Sequence, residues 1–343
     1  MKGRPKVFAV VAALAAGGVI RAVAAERLEL VWPTPNPAWA DGKPIGEFLQ
    51  HAGSGDAESG AFGGVRSGGR QFHEGIDIKC STRDRRGEPL DSVWAVMPGV
   101  VRHINSNAGD SNYGRYIVLE HPDQWPTVYT LYAHLARIAP GLREGAVVKR
   151  GEVIAIMGHS SGGYMIPVDR AHLHFEIGLM VTRDFQSWYE HKRFGSRNDH
   201  GAWNGMNLMG VDPLDFFNAW RAKHINTVQD YFAGQKTAVR LRIASTRTPD
   251  FVTRYPALLT KPLPMGLVGG WEIRCNWTGV PFAWTPLTAM EVAGLAPNQP
   301  QIVEADAAWL GRQRSRSLAV SRRGSWSVGK DLAIVLEQLF GLR

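Results

Sequence analysis

The chain has 343 residues, of which 44% are hydrophobic and 20% charged, with 38 glycines, 20 prolines, 12 tryptophans and two cysteines. This balance excludes a disordered polar chain, a collagen-like repeat and a multispanning membrane protein, and two cysteines are too few for a disulfide scaffold or an all-thiolate zinc site. The formal charge of +8 is not gathered into a basic arm, so no nucleic-acid partner is expected.

Residues 1–25 carry Lys2, Arg4, Lys6 and Arg21 and no acid, so they account for half of that charge. Lys2, Arg4 and Lys6 precede an apolar run from Val7 to Ile20, which ends at Ala22-Val23-Ala24-Ala25. Charge, apolar core and small residues in this order describe a secretory signal peptide. The run falls short of the roughly 20 residues that span a bilayer, so cleavage is expected, with no stable membrane span afterwards. The expected location is the periplasm, the cell envelope or the extracellular space. Such a compartment is oxidising, and a Cys80–Cys275 disulfide is expected to tie the carboxy-terminal part to the central part.

Residues 26–70 hold Pro33, Pro35, Pro37 and Pro44 and end in a Gly/Ser-rich run. They read as an irregular leader, a flexible lid or linker. Residues 71–220 change texture: short β-branched runs alternate with Gly, Asn and Pro. Ser92–Met97, Val100–Ile104, Tyr116–Glu120, Thr127–Leu135, Val153–Met157 and His172–Ile177 read as antiparallel strands. Residues 145–155 read as a hairpin turning near Lys149–Gly151, and residues 180–210 as a long loop. Asp212 and Pro213 cap and open a helix that extends through Phe232. Residues 221–343 form a mixed α+β extension of unassigned role, closing in an amphipathic helix through Leu332, Val335, Leu336, Leu339 and Phe340. The fold expected is mainly β: a central antiparallel sheet domain with an open groove, plus that extension.

The chemistry rests on four histidines and an aspartate. His172-Leu173-His174 is an H-x-H on a strand, so both imidazoles share one face, with Cα atoms roughly 6.6 Å apart. His73 and Asp77 form H-x-x-x-D. On a straight strand they would lie roughly 13 Å apart, too far to share an ion, and Gly75 allows the chain to curl and bring them together. With His174 they offer two imidazole nitrogens and one carboxylate oxygen. Three protein ligands leave a fourth tetrahedral position open, as in catalytic zinc sites. Two decoys fall away. Gly158-His159-Ser160-Ser161-Gly162 matches a nucleophile elbow, but Pro167 and a strand follow it where a helix is required. His73-Glu74 starts like a helical zincin motif whose fifth residue should be histidine.

Together, His73-x-Gly75-x-Asp77, Leu131-Tyr132-Ala133-His134-Leu135 and His172-Leu173-His174-Phe175-Glu176, in this order, resemble the lysostaphin-type (LytM-like) zinc endopeptidases, which cut peptide bonds in bacterial peptidoglycan. The resemblance covers residues 70–180 and the Val211-Asp212-Pro213-Leu214 tail. It implies one zinc ion per chain held by His73, Asp77 and His174, with His134 and His172 as the catalytic pair and peptidoglycan as partner. Such an ion lowers the pKa of its water and polarises a scissile carbonyl, and a neighbouring imidazole manages the proton. Where that family has Gly-Pro before H-L-H, this chain has Arg170-Ala171. The alternatives are a non-catalytic wall-binding or amidase-activating relative, and a zinc peptidase of soluble peptides.

Overall fold

The computed structural model describes residues 27–312 and 314–342; the export signal expected over residues 1–25 lies outside them. The leader is irregular but not a loose lid or linker. Leu28, Leu30, Trp32, Trp39, Phe48 and Leu49 are buried. Trp32 stacks on Trp39 with centroids 4.7 Å apart, and both meet Phe217 edge-on. The prolines interrupt regular helix and strand in this segment, while the large apolar residues between them anchor it to the core.

A hairpin of β1 (Gly63–Arg66) and β2 (Gln71–His73) runs into β3 (Ile76–Lys79). There follow β4 (Ser92–Trp94), β5 (Gly99–Asn105), β6 (Tyr116–His121) and β7 (Val128–Ala133). Next come the short β8 (Arg137–Ile138), β9 (Val147–Val148) and β10 (Val153–Ile156), then the long β11 (His172–Met180). After α1 (Phe185–Lys192) comes β12 (Leu208–Val211). Seven of these strands form an antiparallel sheet ordered β12-β11-β7-β6-β5-β9, with β3 also paired to β11. The mainly β fold expected from the sequence is the one found.

All nine residues of β11 are buried, as a central strand covered on both faces requires. Residues 145–155 do not form a hairpin: β9 pairs with β5, whereas β10 pairs with β4 and β8 in a smaller sheet. The Lys149–Glu152 turn therefore carries the chain from one sheet to another. Residues 180–210 contain helix α1 within the expected loop. Phe185, Trp188 and Tyr189 on α1 form a small apolar cluster of their own.

Asp212 caps α2 (Pro213–Arg221), accepting from the backbone N–H groups of Leu214 and Asp215. The helix stops at Arg221. Lys223 is left-handed at φ 59°, and a Thr227–Asp230 capping box starts α3 (Val228–Ala233). The chain continues through β13 (Val239–Ile243), α4 (Asp250–Arg254), β14 (Gly270–Cys275), β15 (Pro281–Leu287) and β16 (Gln301–Ala305). These four strands form a second antiparallel sheet ordered β15-β14-β13-β16. Then come α5 (Ala307–Leu310), the hairpin β17 (Ala319–Arg322) and β18 (Ser325–Val328), and α6 (Lys330–Phe340). Leu332, Leu336, Leu339 and Phe340 of α6 are buried, as their spacing predicts. One apolar core runs from Leu28 through both sheets to Phe340.

The expected Cys80–Cys275 disulfide is not formed; both residues are buried free thiols. The Cys80 thiol donates to the Thr82 carbonyl at 3.0 Å, beside β3. Cys275 closes β14 in the other sheet, where burial pushes its thiol up to about 12. Each sulfur is thus packed into a different sheet.

Candidate metal centre

The register of β11 builds the site. His174 stands opposite Asp77 of β3 on one side and Ala133 of β7 on the other. Directly opposed residues present their side chains to the same face, so pairing alone brings His174 onto Asp77. His73 ends β2, and the Glu74-Gly75 bend returns it to the same point. Gly75 is required there by close approach: a Cβ would lie 2.3 Å from the Phe175 carbonyl oxygen.

Three donor atoms meet as a triangle. His73 Nε2 lies 3.0 Å from His174 Nδ1, and Asp77 Oδ1 lies 3.1 Å from each. All three residues are buried. The other two predicted residues are beside them. The ring of His172 lies 4.8 Å from that of His134, which in turn lies 5.8 Å from that of His174. His172 Nε2 is 3.5 Å from Asp77 Oδ1. His134, just past β7, is held left-handed at φ 60°, a conformation costly for a residue with a Cβ.

Each histidine rests one ring nitrogen on an outward acceptor. His73 Nδ1 meets the Ala61 carbonyl at 2.8 Å, His134 Nδ1 the Ser160 carbonyl at 2.8 Å, and His172 Nδ1 the Arg170 carbonyl at 2.8 Å. His174 Nε2 meets Glu176 Oε1 at 3.0 Å. A carbonyl or carboxylate oxygen only accepts, so these nitrogens carry the protons, and the inward nitrogens of His73, His134 and His172 offer lone pairs. Two imidazole nitrogens and a carboxylate oxygen, each a common ligand of divalent ions, thus stand close enough to share one. The donor set therefore fits a divalent ion of the zinc type.

Burial lowers the pKa of His73 and His172, and that of His134 well below the ordinary histidine value. These rings are neutral near pH 7. Asp77 is also penalised by burial, but His172 and His73 beside it outweigh this and hold its carboxyl well below the usual range. Burial opposes charge on His174 too, yet its bonds to Asp77 and Glu176 prevail and raise it to about 9.

Two further residues of the site were given no role in the sequence analysis. Glu176 is buried and accepts from Tyr113 at 2.6 Å and Tyr129 at 2.9 Å as well as from His174. A carboxylate behind a ligand imidazole fixes its tautomer and strengthens it as a donor; the i+2 spacing from His174, which puts both on one strand face, was the available clue. Arg66 donates to Asp77 Oδ2, and its Nη2 lies 3.0 Å from His73 Nε2, while its Nε donates to the Ser59 carbonyl. It sits in a Gly-rich run without a distinguishing pattern. The Ser160 hydroxyl donates to the Leu135 carbonyl and accepts from the Arg115 N–H, so it braces the loop that holds His134.

The centre opens into a cavity of about 930 Å³ bordered by Arg66, His73, His134, His174, Tyr113 and Tyr164, together with residues of the carboxy-terminal tract. Among the described residues no helix is long and apolar enough to cross a membrane.

Residues 71–184 match the profile of peptidase family M23. No curated protein sequence matches the chain. Among solved structures it is similar to a protein described as a glycyl-glycine endopeptidase, lytM, from Ruminococcus gnavus. The identity there is 30% over 33% of this chain and 42% of that one, with a TM-score of 0.26. It is also similar to the catalytic domain of lysostaphin from Staphylococcus simulans, at 20% identity over 46% of this chain and 87% of that one (TM-score 0.28). A third is the catalytic domain of the prophage-encoded M23 protein EnpA from Enterococcus faecalis, at 24% identity over 38% and 86% (TM-score 0.27). The lysostaphin-type resemblance read from the motifs is thereby borne out for the segment that carries them.

Proposed function

We propose that this chain, whose residues 71–184 are of the M23 peptidase type, is an exported zinc endopeptidase that hydrolyses stem peptides or cross-bridges of peptidoglycan. The observation that carries the reading is the donor triangle of His73, Asp77 and His174 with two further inward-facing imidazoles beside it. Bound there, zinc would supply Lewis acidity toward a peptide carbonyl and acidify a water.

The protein's own groups supply the rest. His172 Nε2 faces the centre while its Nδ1 proton is parked on Arg170. Neutral and lone-pair inward, it is placed to take the proton of an attacking water and pass it to the leaving amine. His134, fixed by Ser160, is placed to orient the carbonyl and stabilise the charge developing on its oxygen. The open cavity admits an extended peptide.

The test is digestion of purified sacculi by the zinc-loaded chain, with metal analysis and mass spectrometry of the products. One zinc per chain and released muropeptides are expected. Zinc without release, despite tight wall binding, would favour the non-catalytic relative; cleavage confined to soluble peptides would favour the third reading.

A further inference from the structure

A second pair of histidines stands beside the cavity, outside the metal centre. His103 of β5 faces His200 of the segment between α1 and β12, with Nε2 of the first 3.4 Å from Nδ1 of the second. The outer nitrogens both meet acceptors. His103 Nδ1 lies 3.4 Å from Glu144 Oε1, and His200 Nε2 lies 3.1 Å from the Asp110 carbonyl. Tyr116 of β6 packs against both rings, at 5.1 and 5.5 Å between centroids, and its hydroxyl donates to the Trp203 carbonyl at 3.4 Å. His200 therefore ties its own segment both to β5 and to the loop before β6. The two tied pieces border the cavity, through Asp110 and Asn112 of the loop and Asn204 and Met206 of the segment.

We propose that His103 and His200 form a proton-dependent clasp, which fastens this part of the cavity rim when the pair carries one extra proton and relaxes it when the pair carries none or two. Counting protons leads there. The Glu144 carboxylate and the Asp110 carbonyl only accept, so each outer nitrogen must bring a proton. Two neutral imidazoles have only two protons, which leaves lone pair facing lone pair between the rings. One further proton fills that gap and completes three hydrogen bonds, with Glu144 balancing the charge. A second further proton sets two N–H groups against each other. At 3.4 Å the inter-ring and Glu144 contacts stand at the long limit of hydrogen bonding, so they gain most from the charge. The surrounding ionisable groups have their own partners. Glu144 Oε1 also accepts from the Ile104 amide at 3.1 Å, the Asp110 carboxylate takes the Asn107 side-chain amide at 2.6 Å, Arg197 pairs with Asp199, and Arg102 with Glu120. Burial raises the phenols of Tyr116 and Tyr113, which stay protonated. Burial and the neighbouring His200 push His103 below the ordinary histidine value, against the pull of Glu144. The extra proton is therefore held on the His200 side of the contact. The fastened form binds the first extra proton more tightly than the relaxed form, and the second less tightly. Its advantage is lost as pH rises through the first step and again as pH falls through the second.

Hydrogen–deuterium exchange of the full chain, corrected for the intrinsic pH dependence of exchange, tests this, with strand β7 as internal reference. Protection of residues 196–206 should rise roughly threefold to tenfold between pH 8 and pH 6. His200→Asn, checked by melting temperature, should abolish the rise. Glu144→Gln, at a side chain 57% exposed, should move it to lower pH. In NMR spectra of chain labelled at the histidine ring carbons, with the two rings assigned through His103→Asn and His200→Asn, the pair should share one first step and show a separate second step below it. Equal protection at pH 8 and pH 6 would overturn the clasp. So would a rise that survives in a folded His200→Asn, an unmoved rise in Glu144→Gln, or two rings that titrate independently. None of these readouts involves zinc or substrate, so the inference stands or falls apart from the peptidase reading.

Discussion

The unit of function at the residue scale is an imidazole with one nitrogen committed outward. His174→Ala should lose both zinc and activity, whereas His172→Ala should keep zinc and lose turnover by about a hundredfold or more. Metal analysis alongside rate measurement separates them, and equal metal loss in both would overturn the roles assigned here. Glu176→Gln should weaken zinc binding about 10- to 100-fold, read by competition with a chelator. A different histidine, outside the site, contributes to acid sensitivity. His121 is fully buried between the Pro98 carbonyl and the Thr130 hydroxyl. Burial lowers its pKa from 6.5 to about 4. The folded state therefore binds fewer protons than the unfolded chain between these values, so this contribution is present above pH 6.5 and is lost as pH falls towards 4. The loss amounts to about 3 kcal/mol. His121→Gln should flatten the decline in urea midpoint between pH 7 and pH 4.5; a decline as steep as the wild type's would refute the assignment. His172 and His174 were legible because residues two apart on a strand share a face, whereas His73, Asp77 and His134 were picked out by the resemblance of their motifs to a known family. Arg66 was not, because its place follows from a hairpin that the glycine-rich sequence does not specify.

Elements, in turn, decide whether those residues meet. The β3–β11 ladder sets His174 against Asp77, and a one-residue slip would turn one of them to the opposite face. Gly75 permits that ladder to close against Phe175. Gly75→Ala should therefore destabilise the fold by roughly 1–3 kcal/mol and weaken zinc binding with it, measured by urea midpoint and metal titration. Wild-type values for both would show that the bend tolerates a side chain. Most long strands were readable from their β-branched runs. The 145–155 hairpin was misjudged because a turn reveals only that the chain reverses, not which sheet each arm joins; β9 and β10 have two and four residues, too few to show a preference. Helix α1 was overlooked because its apolar residues bury against one another and against Phe194, leaving no long periodic stripe.

At the scale of the whole molecule, leader, central sheet and carboxy-terminal tract share one core. The sequence suggested three stretches because composition changes along the chain, whereas the contacts uniting them join residues far apart, such as Trp39 with Phe217 or Phe62 with Trp277. Leu336 of α6 is 1% exposed. Leu336→Ala should cost about 2–5 kcal/mol and lower a single cooperative transition seen equally by tryptophan fluorescence and circular dichroism. Two separate transitions would instead indicate that the carboxy-terminal tract unfolds independently.

The carbonyl of Ala61 beneath His73 has a practical corollary for anyone expressing parts of this protein. A fragment trimmed to residues 71–184 would discard the acceptor that pins the imidazole proton, and with it Ser59, whose hydroxyl is itself held by the Ala52 amide. The ring would then be free to exchange tautomers, and the one with its proton on Nε2 could not serve the proposed metal. Recombinant pieces used to measure metal binding should therefore begin upstream of Ala52.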